Sequence, residues 1–224
     1  ARMKAAALIR EESYDEAYVL PNSWKSALVP FLARIEKRIG WVGEMRYGIL
    51  NDVRSLDKKA LPLMVERYSA LSINAVEQFV RPALDPVLDH DSENRSRLVS
   101  KYNLSTTGAI ALAPGAEFGP AKKWPISYFA DVAKYCLEIG RQVWLLGSKK
   151  DESDCELIEN KVNGVINLAG QTSLEDVVDI ISLADTLVCN DSGLMHVSAA
   201  LNTKTVALFG STSDEYTPPL SSNS

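Results

Sequence analysis

Short, β-prone apolar runs alternate along this chain with longer stretches in which apolar residues return every three or four positions. The first rhythm predicts buried strands and the second amphipathic helices. Met3 to Glu12 reads as the tail of a helix and Ala17 to Leu20 as a strand; Pro21-Asn22-Ser23 is a turn in which Ser23 caps a helix running to about Ala33. Lys37 to Trp41 is a second short strand, and it enters a loop, Val42 to Gly48, whose glycines, aromatics and charges suit a binding surface. Leu63, Val65, Tyr68, Leu71 and Ile73 give an imperfect apolar face and predict a helix over about 61–79. From Arg81 to Glu93 the rhythm is lost, and Pro82, Pro86 and several acidic residues mark a linker.

Beyond the linker the alternation is regular. Strands are predicted from Ala109 to Ala113, Val143 to Leu146, Val165 to Leu168, Thr186 to Cys189 and Thr205 to Phe209. A helix opening at Pro125 aligns Ile126, Phe129, Ala130, Ala133 and Leu137 and stops at Gly140; another runs from near Ser153 to Val162. Ser173 and Asp176 are spaced as a variant capping box before Leu174, Val177, Val178 and Ile181. Asp191 is placed to cap a last helix through the amides of Gly193 and Leu194. Repeated βα units with short connections predict an α/β fold with doubly wound parallel sheets. The linker divides the chain into a partial Rossmann-like domain over 1–89 and a second over 90–224. Starting in a partial helix and stopping just after a strand, the chain reads as an internal piece of a longer protein.

Composition narrows the function classes. With 46% apolar and 24% charged residues the chain is ordinary for a soluble globular protein, and its net charge of -5 argues against a surface that coats nucleic acid. No apolar run approaches the ~20 residues that cross a bilayer, and no signal peptide is visible. Cys136, Cys155 and Cys189 are odd in number and lack metal spacing, as buried or free thiols of a reducing cytosol would. His90, in the linker, and His196 lie too far apart in sequence to suggest zinc.

Ligands of such sheets collect at the carboxyl ends of the strands. There the sequence sets Gly115, Ala116 and Lys122 after one strand, Gly147, Ser148 and Asp151 after the next, Gly170, Gln171 and Thr172 before a third helix, and Asp191 to His196 after the fourth strand. Small residues let a phosphate approach backbone amides, a lysine adds a compact charge, and a carboxylate can take ribose hydroxyls. This is the chemistry of a nucleotide-diphosphate cleft, without the Walker or G-x-G-x-x-G signatures of P-loop kinases and simple dehydrogenases. Solvated loop charges remain the plain account of Lys122 and Lys123, an ordinary capped helix that of Asp191, and a packed helix histidine that of His196.

Pro114-Gly115-Ala116-Glu117-Phe118-Gly119-Pro120-Ala121-Lys122-Lys123-Trp124-Pro125 and Asn190-Asp191-Ser192-Gly193-Leu194-Met195-His196 closely resemble the ADP-heptose:lipopolysaccharide heptosyltransferases of glycosyltransferase family 9. Leu20-Pro21-Asn22-Ser23, Gly40-Trp41 and Gly43-Glu44-Met45-Arg46-Tyr47-Gly48 look like the branch that extends the first heptose of the inner core. The resemblance implies a GT-B fold, two Rossmann-like domains facing across a cleft, with the acceptor on the N-terminal side and ADP-heptose on the C-terminal side. It implies transfer of L-glycero-D-manno-heptose with inversion and no obligatory cofactor or metal, by a cytoplasmic enzyme at the inner face of the membrane where heptosyl-Kdo2-lipid A is presented.

Carried over by position, Lys122 stabilises the leaving phosphates, Gly115 and Ala116 meet them through backbone, Asp151 stands where a family glutamate binds ribose, and Thr172 is adenine-adjacent. Asp191 orients the heptose; Ser192, Gly193, Leu194 and His196 complete the turn. Asn22, Ser23, Lys25 and Arg46 are acceptor-side candidates, and Lys25, Lys37, Arg38 and Arg46 are candidates for membrane contact or an ordinary solvated face. The family's general base resembles an aspartate after a first strand that has no counterpart here, so these 224 residues alone are expected to lack turnover. The alternatives are another nucleotide-sugar GT-B enzyme, such as a 2-epimerase, and a noncatalytic sugar-nucleotide-binding module.

Overall fold

A computed structural model describes residues 1–73, 85–116 and 120–221. The chain divides into two compact units, Ala1–Ala83 with Glu215–Thr217, and Leu84–Asp214 with Pro218–Ser224.

In the first unit α1 (Arg2–Glu11), β1 (Glu16–Tyr18), α2 (Trp24–Leu32), β2 (Lys37–Trp41), β3 (Asp52–Arg54) and α3 (Met64–Leu71) follow in order. The strands form a parallel sheet in the order β1-β2-β3. Ser23 caps α2 as its position requires, its Oγ accepting the Ser26 amide at 3.2 Å. Glu66 reaches back to accept the Leu63 amide at 3.1 Å and opens α3. The helix expected over 61–79 is described only as Met64–Leu71, since 74–84 lie outside the described residues. Leu71 is fully buried with Ile39 and Trp41 of β2, which ties α3 to the sheet.

The second unit contains α4 (Ser92–Tyr102), β4 (Ala109–Ala113), α5 (Ile126–Glu138), β5 (Gln142–Leu145), α6 (Glu152–Glu159), β6 (Ile166–Asn167), α7 (Leu174–Leu183), β7 (Thr186–Asn190), α8 (Gly193–Ala200) and β8 (Lys204–Leu208). Single 3-10 turns at Pro120–Lys122 and Lys149–Asp151 precede α5 and α6. Five parallel strands run in the order β6-β5-β4-β7-β8. Side chains alternate across them: Ala109, Ala111, Ala113 and Trp144 join Leu98, Val177 and Ile180 on one face, while Leu112, Val143 and Leu145 join Phe129, Ala133 and Ile158 on the other. Both faces are therefore covered by helices, which is why the strands read as continuous apolar runs.

Part of the expected linker is helical. Residues 85–90 are irregular, but α4 begins at Ser92, with Asp91 accepting the amides of Glu93 and Asn94 and Asn103 in the left-handed region at its end. The capping box at Ser173 forms as spaced, Ser173 Oγ accepting the Asp176 amide at 3.1 Å and Asp176 accepting that of Ser173 at 3.2 Å. All three cysteines are buried and free.

Candidate functional site

Chain order builds the site of the second unit. After β4 the path goes outward to β5 and β6, then returns to lay β7 on the other flank of β4. The loops leaving β4 and β7 thus part in opposite directions at adjacent strand ends, where doubly wound sheets leave a crevice.

Asn190, the last residue of β7, is wholly buried. Its Nδ2 donates to the Pro114 carbonyl at 2.7 Å, and its Oδ1 accepts the Trp124 amide at 3.0 Å. One amide side chain therefore pins the loop after β4 at both its beginning and its end. Trp124 is held further by ring contacts of 5.2 Å with Tyr128 and Phe129. Between the pins the chain presents Lys122, whose Nζ donates to Asp191 Oδ2 at 2.7 Å. The pair is largely covered, with side-chain exposures of 21% and 10%.

Asp191 therefore does not cap α8 as the sequence suggested. The lysine from the neighbouring loop captures the carboxylate, and Ser192, the residue in the capping position, makes no side-chain cap bond. Burial pushes the Asp191 carboxyl up, but the Lys122 ammonium, the Thr212 hydroxyl and the charge of His196 outweigh it and hold the group below the usual carboxylate range. Gly193 opens α8 with nothing within 4 Å of where a Cβ would stand, so a ligand can approach the first amides. Leu194 is half-buried against the core and His196 is exposed, which rules out the packed-histidine alternative. Lys123 is not a twin of Lys122: it turns to α6 and pairs with Asp154 at 2.6 Å. Neither lysine is merely solvated.

Asp151 stands over the ends of β4 and β5. A Cβ on Gly115 would overlap its carboxylate, with Oδ2 at 2.8 Å, and one on Gly147 would lie 2.8 Å from its Cβ. Asp151 Oδ2 already accepts the Ser148 amide at 2.9 Å and the Ser148 hydroxyl at 2.7 Å. The next residue, Glu152, packs its carboxylate against Gly170, at the turn before α7. Thr172 is half-buried, its Oγ1 3.5 Å from the Leu168 carbonyl. Ala116 is half-buried in the same loop as Gly115; Glu117, Phe118 and Gly119 of the quoted motif lie outside the described residues.

In the first unit Asn22, Ser23 and Lys25 follow the end of β1, and Lys25 is exposed. Arg46 is different. It is 1% exposed, with its guanidinium donating to the carbonyls of Pro21 at 2.7 Å and Trp41 at 2.5 Å and to Asn22 Oδ1 at 3.3 Å. It clamps the two loops together instead of facing a partner, and burial lowers its pKa. Met45 and Tyr47 on either side of it are exposed. Of the cations named for membrane contact or a solvated face, Lys25 is exposed, Lys37 pairs with Glu16 at 2.7 Å on the surface, and Arg38 donates to the Ile49 carbonyl at 2.6 Å.

Among the described residues no group of three His, Cys, Asp or Glu is arranged to hold a metal, and no helix is long and apolar enough to cross a membrane.

The sequence model of glycosyltransferase family 9 (heptosyltransferase) matches residues 2–224. Lipopolysaccharide heptosyltransferase 2 of Escherichia coli (strain K12) is 48% identical over 231 aligned residues, covering 98% of this chain and 66% of that protein. The protein of the same name from Salmonella typhimurium is 49% identical over 224, covering 95% and 64%. The chain thus spans 64–66% of the length of these relatives. The solved structure of E. coli ADP-heptose lps heptosyltransferase II matches with a TM-score of 0.89 at 48% identity, over 99% of this chain and 70% of that one. The fold is of the GT-B type.

Proposed function

The chain belongs to glycosyltransferase family 9, the heptosyltransferases, and from that premise we propose that it serves the inverting transfer of L-glycero-D-manno-heptose from ADP-heptose to the first heptose of the lipopolysaccharide inner core. The Lys122–Asp191 ion pair carries the reading: two opposite charges, 2.7 Å apart, stand at the switch point beside the open amides of α8. A nucleotide diphosphate-sugar has a use for each. Its diphosphate takes the ammonium and the helix amides, and its sugar hydroxyls take the carboxylate. As the anomeric C–O bond breaks, negative charge grows on the departing ADP, where Lys122 and the amides of Gly193 and Leu194 stabilise it. Asp191 holds the heptose so that its far face meets the acceptor hydroxyl. Gly115 and Ala116 admit the phosphates to the backbone, Asp151 and Thr172 border the nucleoside, and His196 adds an exposed donor at the rim.

Acceptor contacts belong to Asn22, Ser23 and Lys25, held in place by Arg46. A lipid-borne acceptor sets the work at a membrane surface. No residue of this chain is assigned as the general base that the attacking hydroxyl requires.

Calorimetric titration with ADP, ADP-heptose and UDP-glucose tests the reading. Adenine nucleotides are expected to bind selectively. Lys122→Ala should weaken ADP and ADP-heptose alike by roughly tenfold or more, the scale of a charge-assisted contact. Asp191→Ala should weaken ADP-heptose while leaving ADP unchanged or tighter, since it frees Lys122. Equal binding of UDP-glucose, or indifference to both substitutions in a folded chain, would overturn it.

A further inference from the structure

We propose that Thr212 is a positioning residue of this site: its hydroxyl takes over the Asp191 carboxylate when Lys122 turns to the donor's diphosphate, and so keeps that carboxylate aimed at the donor sugar. The inference rests on the donor-site reading above and goes beyond it, because Thr212 belongs to neither quoted motif.

The loop after β8 is built against the site. The Asp191 amide donates to the carbonyl of Leu208, the last residue of β8, at 3.1 Å. Two residues on, Gly210 lies so close to the turn bearing Lys122 that a Cβ there would stand 2.8 Å from the Ala121 carbonyl oxygen. Gly210 thus brings the loop that carries Thr212 against the turn that carries Lys122. Thr212 Oγ1 is fully covered and makes no hydrogen bond. A buried hydroxyl without a partner is uncommon and unfavourable. It lies near enough to Asp191 to help hold that group ionised, but short of proper hydrogen-bond geometry. Lys122 occupies Asp191 Oδ2 in this state. Once the ammonium leaves for a diphosphate, a carboxylate only 10% exposed needs another donor, and the orphan hydroxyl beside it is the group positioned to serve.

The test compares ADP with ADP-heptose on the whole chain carrying Thr212→Val, Thr212→Ser, Asp191→Asn, or Thr212→Val with Asp191→Asn, each checked for folding by circular dichroism. Thr212→Val should weaken ADP-heptose by roughly tenfold and ADP by less than about twofold, because only the sugar is read through Asp191. Thr212→Ser should restore near-normal binding. Added to Asp191→Asn, Thr212→Val should cost nothing further, since its only route is gone. Equal losses for both ligands, no loss for either, failure of Thr212→Ser to rescue, or an additive double variant would overturn the proposal. If the unsubstituted chain binds UDP-glucose as well as ADP, or binds no ADP, the donor-site reading fails first and takes this inference with it.

Discussion

Removing the side chain of Asn190 should loosen the loop that carries Lys122 without touching Lys122. Asn190→Ala deletes the hydrogen bonds to the Pro114 carbonyl at 2.7 Å and from the Trp124 amide at 3.0 Å, with a long one to the Gly115 carbonyl at 3.5 Å, in a residue with no exposure. An orphaned buried donor or acceptor costs roughly 1–3 kcal/mol, so with water able to reach the less covered Trp124 amide the loss should be about 2–4 kcal/mol. At a urea dependence of about 1–3 kcal/mol per molar, the midpoint should fall by roughly 1–2 M. Tryptophan fluorescence would follow the transition, and calorimetry with ADP would show weaker binding from the same loosening. Asn190→Asp sharpens the test. It keeps the acceptor for Trp124 but turns a charged oxygen toward the Pro114 carbonyl. Burial and that carbonyl raise its folded pKa above the unfolded value, so the variant should regain stability as pH falls, where the protonated acid again donates. A midpoint shift under about 0.5 M for Asn190→Ala, or an Asn190→Asp variant indifferent to acid, would refute the account of Asn190 as the pin.

Gly115→Ala must push its new methyl into the Asp151 carboxylate, whose Oδ2 would lie 2.8 Å away; displacing that acid from Ser148 should cost about 1–3 kcal/mol in urea unfolding, and a neutral substitution would show the contact to be slack. For Asp191 the sign follows from a folded pKa below the unfolded one: its pairing with Lys122 adds stability at neutral pH that is lost as pH falls through the folded value. Asp191→Asn should therefore show a shallower acid decline in stability below about pH 4 than the unsubstituted chain, and parallel declines would refute the pairing.

What was legible in the sequence, and what was not, follows from how local each cause is. The strands β4, β5 and β7 announce themselves because burial on both faces leaves nearly uninterrupted apolar runs. The boxes at Ser23 and Ser173 form as read because a cap and its amide lie within a few residues. α4 was missed although Asp91 and Asn103 frame it, because only Leu98 of its eleven residues is fully buried and the helical rhythm is faint. β3 has three residues, all half-buried, and leaves no period to read. Errors at the site have a common origin. Local spacing points Asp191 at the amides next to it in sequence, but its partner stands 69 residues earlier. Arg46 reads as a surface cation from its polar loop, but carbonyls of Pro21 and Trp41 converge on it from separate segments. A polar residue closing an apolar strand, as Asn190 closes Leu187-Val188-Cys189, was the available hint that a buried staple lay there.

The strand order also governs when such a chain can acquire its site. β4 gains one neighbour, β5, within some thirty residues, but its other flank stays bare until β7 is supplied. A nascent chain ending before Asn190 would present an apolar sheet edge, a risk for aggregation. Closing that edge brings Asn190 to Pro114 and Asp191 to Lys122 in the same event, with the largest loop-closure entropy of any strand pairing in the sheet. Site assembly is thereby coupled to the late, long-range step of folding, and a polypeptide interrupted before that step would hold all the residues of the first lysine loop but none of the charge pairing that gives it a use.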